Sequence, residues 1–133
     1  MFQISIVTPE KIFYEGEINS LIAPGIEGYL GVLTGHAPLI TAITPGKVTI
    51  KDKSQQELFM AVSHGFLEVS QNVATLLADS VEYVSEIDAD RAREALGRAK
   101  KRLADAAGEI DLPRARRSLE RAKNRLKVSS EIQ

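Results

Sequence analysis

Cysteine and tryptophan are absent from this 133-residue chain, and histidine occurs only twice. Without cysteine there is no disulfide framework, no thiolate nucleophile and no cysteine-ligated zinc or iron–sulfur site. No apolar run nears the roughly 18 residues that a membrane-spanning helix needs. The opening residues, Met1-Phe2-Gln3-Ile4-Ser5, lack the basic start and apolar stretch of a secretory signal, so a reducing, cytosol-facing compartment is expected. Nucleotide and nucleophile fingerprints are missing as well. Pro45-Gly46-Lys47-Val48 has no glycine five residues before Gly46, so it is not a P-loop, and neither Gly-x-Gly-x-x-Gly nor Gly-x-Ser-x-Gly occurs. His36 and His64 each adjoin a glycine in a turn-like stretch, where a turn or packing role is a simpler reading than catalysis. Ser63-His64 is a poor nucleophile–base pair, because neighbours on an extended strand point to opposite faces. No ligand spacing for a metal is visible. The expectation is a non-catalytic protein with no metal site and no required cofactor.

What is present is divided sharply. The overall balance, 44% hydrophobic and 26% charged with a net charge of −1, describes an ordinary globular chain. The sum hides a separation. Residues 1–84 hold four Lys and nine Asp/Glu, a net of −5, whereas residues 85–133 hold thirteen Lys/Arg and nine Asp/Glu, a net of +4. All seven aromatics precede position 84, and no arginine precedes Arg91. Two domains follow as an expectation, 1–84 and 85–133.

The first part reads as β. Phe2, Ile4 and Ile6 alternate with polar residues, the period-2 pattern of a half-buried strand. Further strands are expected at 10–15, 17–23, 28–33, 38–43, 47–52, 56–62, 65–70 and 73–78, separated by turn signals such as Pro24-Gly25, Thr34-Gly35-His36 and Thr44-Pro45-Gly46. Many short strands in a short chain argue for an antiparallel β-sandwich or barrel and leave little room for parallel crossovers.

The second part is an internal repeat. Residues 86–103 align without gaps on 109–126, with 12 of 18 positions identical. Two copies are too few for a solenoid and suit a two-helix antiparallel hairpin. Asp88 and Asp111 precede the two periodic runs as N-caps should, Pro113 falls in a first helical turn, and Gly108 breaks the pattern between them. Ala92, Ala95, Leu96, Ala99, Leu103 and Ala106 form one apolar stripe; Leu112, Ala115, Leu119, Ala122 and Leu126 form the other. Both are narrow and alanine-rich, so the hairpin is expected to be marginal by itself and its docking reversible. The fold class is therefore α+β, an N-terminal antiparallel β-sandwich followed by a C-terminal helical hairpin.

Arginine carries the chemistry. Arg91, Arg98 and Arg102 share a face of the first helix; Arg114, Arg117, Arg121 and Arg125 share one on the second. Guanidinium forks suit phosphate or carboxylate. The plainer reading is a solvated face partly paired with Asp90, Glu94 and Glu120. The residues alone leave an alternative open, a free-standing basic hairpin that binds nucleic acid or an acidic protein. The hairpin has no aromatic for base stacking and the first part is acidic, so no nucleic-acid partner is expected.

Several segments together resemble the epsilon subunits of bacterial F-type ATP synthases over essentially the full length. They are Val7-Thr8-Pro9-Glu10 with Tyr14-Glu15-Gly16, Glu27 to Leu39 including Thr34-Gly35-His36-Ala37-Pro38-Leu39, Gly65-Phe66-Leu67-Glu68-Val69, Ile87-Asp88-x-x-Arg91-Ala92, and Ala122-Lys123-Asn124-Arg125-Leu126. Two positions depart from the family pattern: Thr34 stands where proline is usual and His64 where glycine is usual. The resemblance implies a non-catalytic rotor subunit of the central stalk, peripheral on the cytoplasmic face of the bacterial cell membrane. Its sandwich would bind the gamma subunit and rest on the c-ring, coupling proton-driven rotation to ATP synthesis. Its hairpin would either fold down or extend into the alpha/beta hexamer and inhibit ATP hydrolysis. Several bacterial relatives also bind ATP on the folded hairpin without a P-loop. The matching positions are Glu82, Ile87, Asp88, Arg91, Ala92, Arg98, Arg121 and Arg125, so the resemblance implies ATP as a regulatory ligand held there. Asp88 is divided in meaning, because its repeat-mate Asp111 sits at the same cap position with no site implied.

Overall fold

Alternation in the sequence becomes alternation in burial. Phe2, Ile4 and Ile6 on β1 (Phe2–Val7) are buried, as are Val48 and Ile50 on β5 (Gly46–Asp52) and Leu67 and Val69 on β7 (Gly65–Ser70). The intervening residues face outward. A computed structural model describes residues 1–104 and 112–132. The expectations that fall on Ala106, Gly108 and Asp111 lie outside the described residues, and so do those on the side chains of Leu103, Leu112 and Ala115.

Nine strands make the first unit, Met1–Tyr83. Besides those named, they are β2 (Ile12–Gly25), β3 (Gly28–Leu33), β4 (Leu39–Ile43), β6 (Glu57–Val62), β8 (Val73–Ala78) and β9 (Val81–Tyr83). Their order is β1-β8-β7-β4-β2-β5-β6-β9, with β3 paired to β2 and β1 also paired to β2. The inner faces of this sandwich enclose a core that includes Ile4, Ile6, Ile18, Leu21, Ile43, Ile50, Met60, Leu67 and Leu76. Packing of this kind is the main favourable term in folding, at roughly 25 cal/mol per Å² of apolar surface removed from water.

β2 explains how the two layers join. The stretches 10–15 and 17–23 read as separate strands in sequence, yet the backbone runs on as one strand of 14 residues. Its first half pairs with β1, Ile4 opposite Gly16, and its second half pairs with β3 and β5, Leu21 opposite both Val32 and Ile50. The register with β5 shifts between Ile18 and Ser20. A bulge of this sort lets one strand change sheets. Asn19 secures it, its Nδ2 donating to the Asp52 carbonyl at 3.0 Å.

One pairing departs from the expected all-antiparallel arrangement. β1 runs parallel to β8, from Gln3 opposite Val73 to Val7 opposite Leu77. No local crossover is required, because β2 to β7 all lie between the two strands in the chain and supply the connection. Every other strand pair is antiparallel. Ser63, buried between β6 and β7, spends its hydroxyl on structure: Oγ accepts the Ser80 N–H at 2.8 Å.

The second unit, Val84–Gln133, opens with a single 3₁₀ turn at Val84–Glu86. Helices α1 (Ala89–Ala104) and α2 (Leu112–Ile132) follow and pack on each other. Consecutive helices joined by so few residues run antiparallel. Ala92 and Ala99 are buried from α1, and Ala122, Val128 and Ser129 from α2; Ala95, Leu96, Leu119 and Leu126 are half-buried. Among the described residues the buried part of the seam is thus built chiefly from small side chains. Among the described residues no helix is long and apolar enough to cross a membrane.

Candidate functional site

Asp88 sets the start of α1. Its Oδ1 accepts the backbone N–H of Asp90 at 3.0 Å and of Arg91 at 3.2 Å, while its carbonyl accepts from Ala92 at 2.9 Å. The Asp90 and Arg91 N–H groups are donors that the first helical turn cannot satisfy internally, and the Ala92 bond is the first of the helix's own backbone ladder. The carboxylate also lies at the positive end of the helix dipole. Just before it, the Ile87 N–H donates to the Val84 carbonyl at 3.1 Å and closes the 3₁₀ turn.

The arginines then fall where helical spacing places them. Arg91 and Arg98 are two turns apart on α1 and both exposed. They flank the seam, since Ala92 and Ala99, each one residue further on, are buried in it. Arg121 and Arg125 are one turn apart on α2. Arg121 is exposed and its Nη2 donates to Ser118 Oγ at 3.2 Å. Arg125 differs from the rest of its row: it is half-buried, with Ala122, Val128 and Ser129 buried around it. A guanidinium so placed is partly stripped of water, which strengthens its hydrogen bonds to an anion.

Of the eight positions singled out, Ile87, Asp88, Arg91, Ala92 and Arg98 gather on the first turns of α1 and the residues leading into it. Arg121 and Arg125 lie together on α2. Glu82 belongs to the other unit, half-buried on β9 opposite Ala61 of β6. Ala92 offers no polar side chain and is fully buried, so its contribution to any site is space. The remaining arginines of the two rows, Arg102, Arg114 and Arg117, are exposed.

Sequence reasoning expected Asp90 to pair with the arginine rows but did not single out Arg93, and it missed Ser118. Arg93 Nη1 meets Asp90 Oδ1 at 2.7 Å, and Ser118 serves Arg121 as above. Both are i,i+3 relationships on a helix and were open to detection by spacing. The Arg93–Asp90 pair is exposed on both sides, where such a bridge contributes little. The solvated-face reading therefore describes Arg93 well and Arg125 poorly.

Comparison with known proteins bears on both units. The family model described as ATP synthase, delta/epsilon chain, beta-sandwich domain matches residues 1–84, and that described as ATP synthase, delta/epsilon chain, long alpha-helix domain matches residues 85–130. The chain is 47% identical over 102 residues to the ATP synthase epsilon chain of Moorella thermoacetica, covering 77% of this chain and 76% of the relative. It is 45% identical over 103 residues to that of Protochlamydia amoebophila, covering 77% and 70%. A chain in the Euglena gracilis mitochondrial ATP synthase shares the fold, with a TM-score of 0.79 over 98% of this chain and 80% of that one at 17% identity. One in the central stalk and c-ring of the Tetrahymena thermophila mitochondrial ATP synthase does so with a TM-score of 0.62, over 98% and 94%, at 14% identity.

Proposed function

The chain belongs to the ATP synthase delta/epsilon family, and from that membership we propose that it is a non-catalytic central-stalk subunit of a proton-translocating F-type ATP synthase. One observation carries the reading: both domain families match, in order, over residues 1–84 and 85–130. In this role the sandwich binds the gamma subunit and rests on the c-ring, so that proton-driven rotation is coupled to ATP synthesis. The subunit sits peripherally on the cytoplasmic face of the bacterial membrane. The helical unit is the regulatory arm. Folded, it is silent; extended, it enters the alpha/beta hexamer and inhibits ATP hydrolysis.

ATP is the proposed ligand of the folded arm. Arg91, Arg98, Arg121 and Arg125 supply the guanidinium donors, Ile87, Asp88 and Ala92 shape the approach, and Glu82 joins by resemblance to the family. Support comes from the exposure of Arg91, Arg98 and Arg121 beside a seam of small side chains, and from the half-buried Arg125. A seam that buries mostly small side chains separates two states by a small free energy. A ligand that binds one state preferentially shifts such an equilibrium by its differential affinity. ATP thus holds the arm folded when plentiful and releases it when scarce.

Two experiments test this. Removing residues 85–133 should raise ATP hydrolysis by the assembled complex and leave assembly intact; loss of assembly without relief of inhibition contradicts the regulatory role. By calorimetry on the isolated subunit, Arg91→Ala and Arg125→Ala should each weaken ATP binding about tenfold, as expected for a lost charge-assisted hydrogen bond. Absence of binding by the wild type at millimolar ATP removes the ligand from the scheme.

A further inference from the structure

We propose that Asn72 is a positioning residue that locks the loop between β3 and β4 to the start of β1. Three segments remote in sequence meet at this residue. The Gly35 N–H, in the β3–β4 loop, donates to Asn72 Oδ1 at 2.9 Å. Asn72 Nδ2 donates to the Met1 carbonyl at 3.1 Å. The Asn72 carbonyl in turn accepts the Gln3 N–H at 3.2 Å.

The partners determine which way the amide faces. A backbone N–H can only donate and a carbonyl can only accept, so oxygen must face Gly35 and nitrogen must face Met1. Asparagine alone meets both demands in a side chain this short. Aspartate lacks the donor, and alanine lacks both groups.

The turn by itself does not require asparagine. Gln71 and Asn72 join β7 to β8 with φ of 50° and 63°, the left-handed pair of a two-residue hairpin turn. Glycine satisfies that backbone at least as well as asparagine. The side-chain bonds are what distinguish the two residues here.

The clamped loop is otherwise held lightly. Gly35 has φ +79° and nothing within 4 Å of where a Cβ would stand. Within the loop the His36 N–H donates to the Leu33 carbonyl at 3.1 Å, and His36 Nδ1 lies 2.6 Å from the Ala37 carbonyl. Among the described residues, the Asn72 side chain ties this turn to the start of β1. On either side stand two exposed apolar residues, Leu33 at 65% and Ile40 at 74%. Fixing the loop fixes the approach between them. That purpose rests on the reading of this chain as a synthase subunit, in which the loop is presented to a partner subunit in one conformation at no further entropic cost.

Hydrogen exchange of the Gly35 amide in the full chain reads the clamp directly. Asn72→Gly keeps the turn and deletes both side-chain bonds; Asn72→Asp keeps the acceptor for Gly35. Protection of Gly35 should fall about tenfold in the glycine variant, the scale of one hydrogen bond. It should stay near wild type in the aspartate variant, with the Ser70 and Val73 amides of the hairpin little changed in both. Synthase assembled with the glycine variant should retain the subunit but pump fewer protons per ATP hydrolysed. Unchanged Gly35 protection in Asn72→Gly overturns the clamp. Lost protection with wild-type pumping overturns its positioning role. If the wild-type chain does not enter a synthase at all, the subunit reading fails, while Gly35 exchange still decides whether the clamp exists.

Discussion

Gly65 begins β7 with its α-carbon turned toward the backbone of β8. A Cβ there would overlap the Leu77 carbonyl oxygen and stand 2.8 Å from Ala78 Cα. Backbone of a paired strand cannot swing aside as a side chain can, so Gly65→Ala should destabilise the sandwich by about 1–3 kcal/mol. In a domain of this size that lowers Tm by roughly 4–8 °C per kcal/mol, measurable by thermal denaturation. Tyr14 carries a second prediction. Burial raises its phenol above the ordinary 10.0, and the charges of Asp52 and then Tyr83 push the same way. A proton held more tightly by the folded state gives a contribution that is complete below the ordinary pKa and is lost as pH rises through the folded value. Wild type should therefore lose stability above about pH 10 more steeply than Tyr14→Phe. Denaturation midpoints across the alkaline range compare the two slopes, and equal slopes would absolve Tyr14.

At the scale of elements, α1 offers two opposite changes. Asp88→Ala removes the acceptor for two N–H groups and should cost the helix about 1 kcal/mol, whereas Asp88→Asn should be nearly neutral. Gly97 lies exposed inside α1, with nothing within 4 Å of a prospective Cβ. Gly97→Ala should stabilise the helix by about 0.5–1 kcal/mol. Amide exchange across 92–100 in the full chain follows both. The cap was legible in sequence because it stands immediately before a periodic run, and the helices were legible because the repeat writes the same run twice. β1 was legible from its alternation. β2 was not: Gly16 read as an interruption between two strands, while the ladder continues through Ile4 opposite Gly16. Nor does periodicity detect a strand of three residues such as β9, or tell a parallel neighbour from an antiparallel one. At the candidate site, spacing placed the arginines on common faces. It could not give depth, and Arg125 is half-buried because of what packs beside it, not because of its position in the row.

For the whole molecule, the contrast between the two units is one of core. The sandwich closes its interior with large side chains of its own, Ile4, Ile18, Leu21, Ile50, Met60, Leu67 and Leu76 among them. Among its described residues the helical unit buries alanines at three seam positions, each methyl contributing only about 0.8 kcal/mol. Most of a helix's stability in a protein comes from packing its apolar face against a partner. A fragment of residues 1–84 should therefore fold and unfold cooperatively on its own, while 85–133 alone should be largely uncoiled. In the full chain the helical signal should melt first and the tyrosine environment of the sandwich later, in two transitions instead of one. ATP discriminates further. A ligand of the folded helices raises the transition of those helices in proportion to RT ln(1 + [L]/Kd) and leaves the sandwich nearly where it was. Far-ultraviolet and near-ultraviolet circular dichroism, recorded together with and without millimolar ATP, separate the outcomes. Coincident transitions would mean that the units unfold as one body. An unmoved helical transition would mean that ATP does not stabilise the arm.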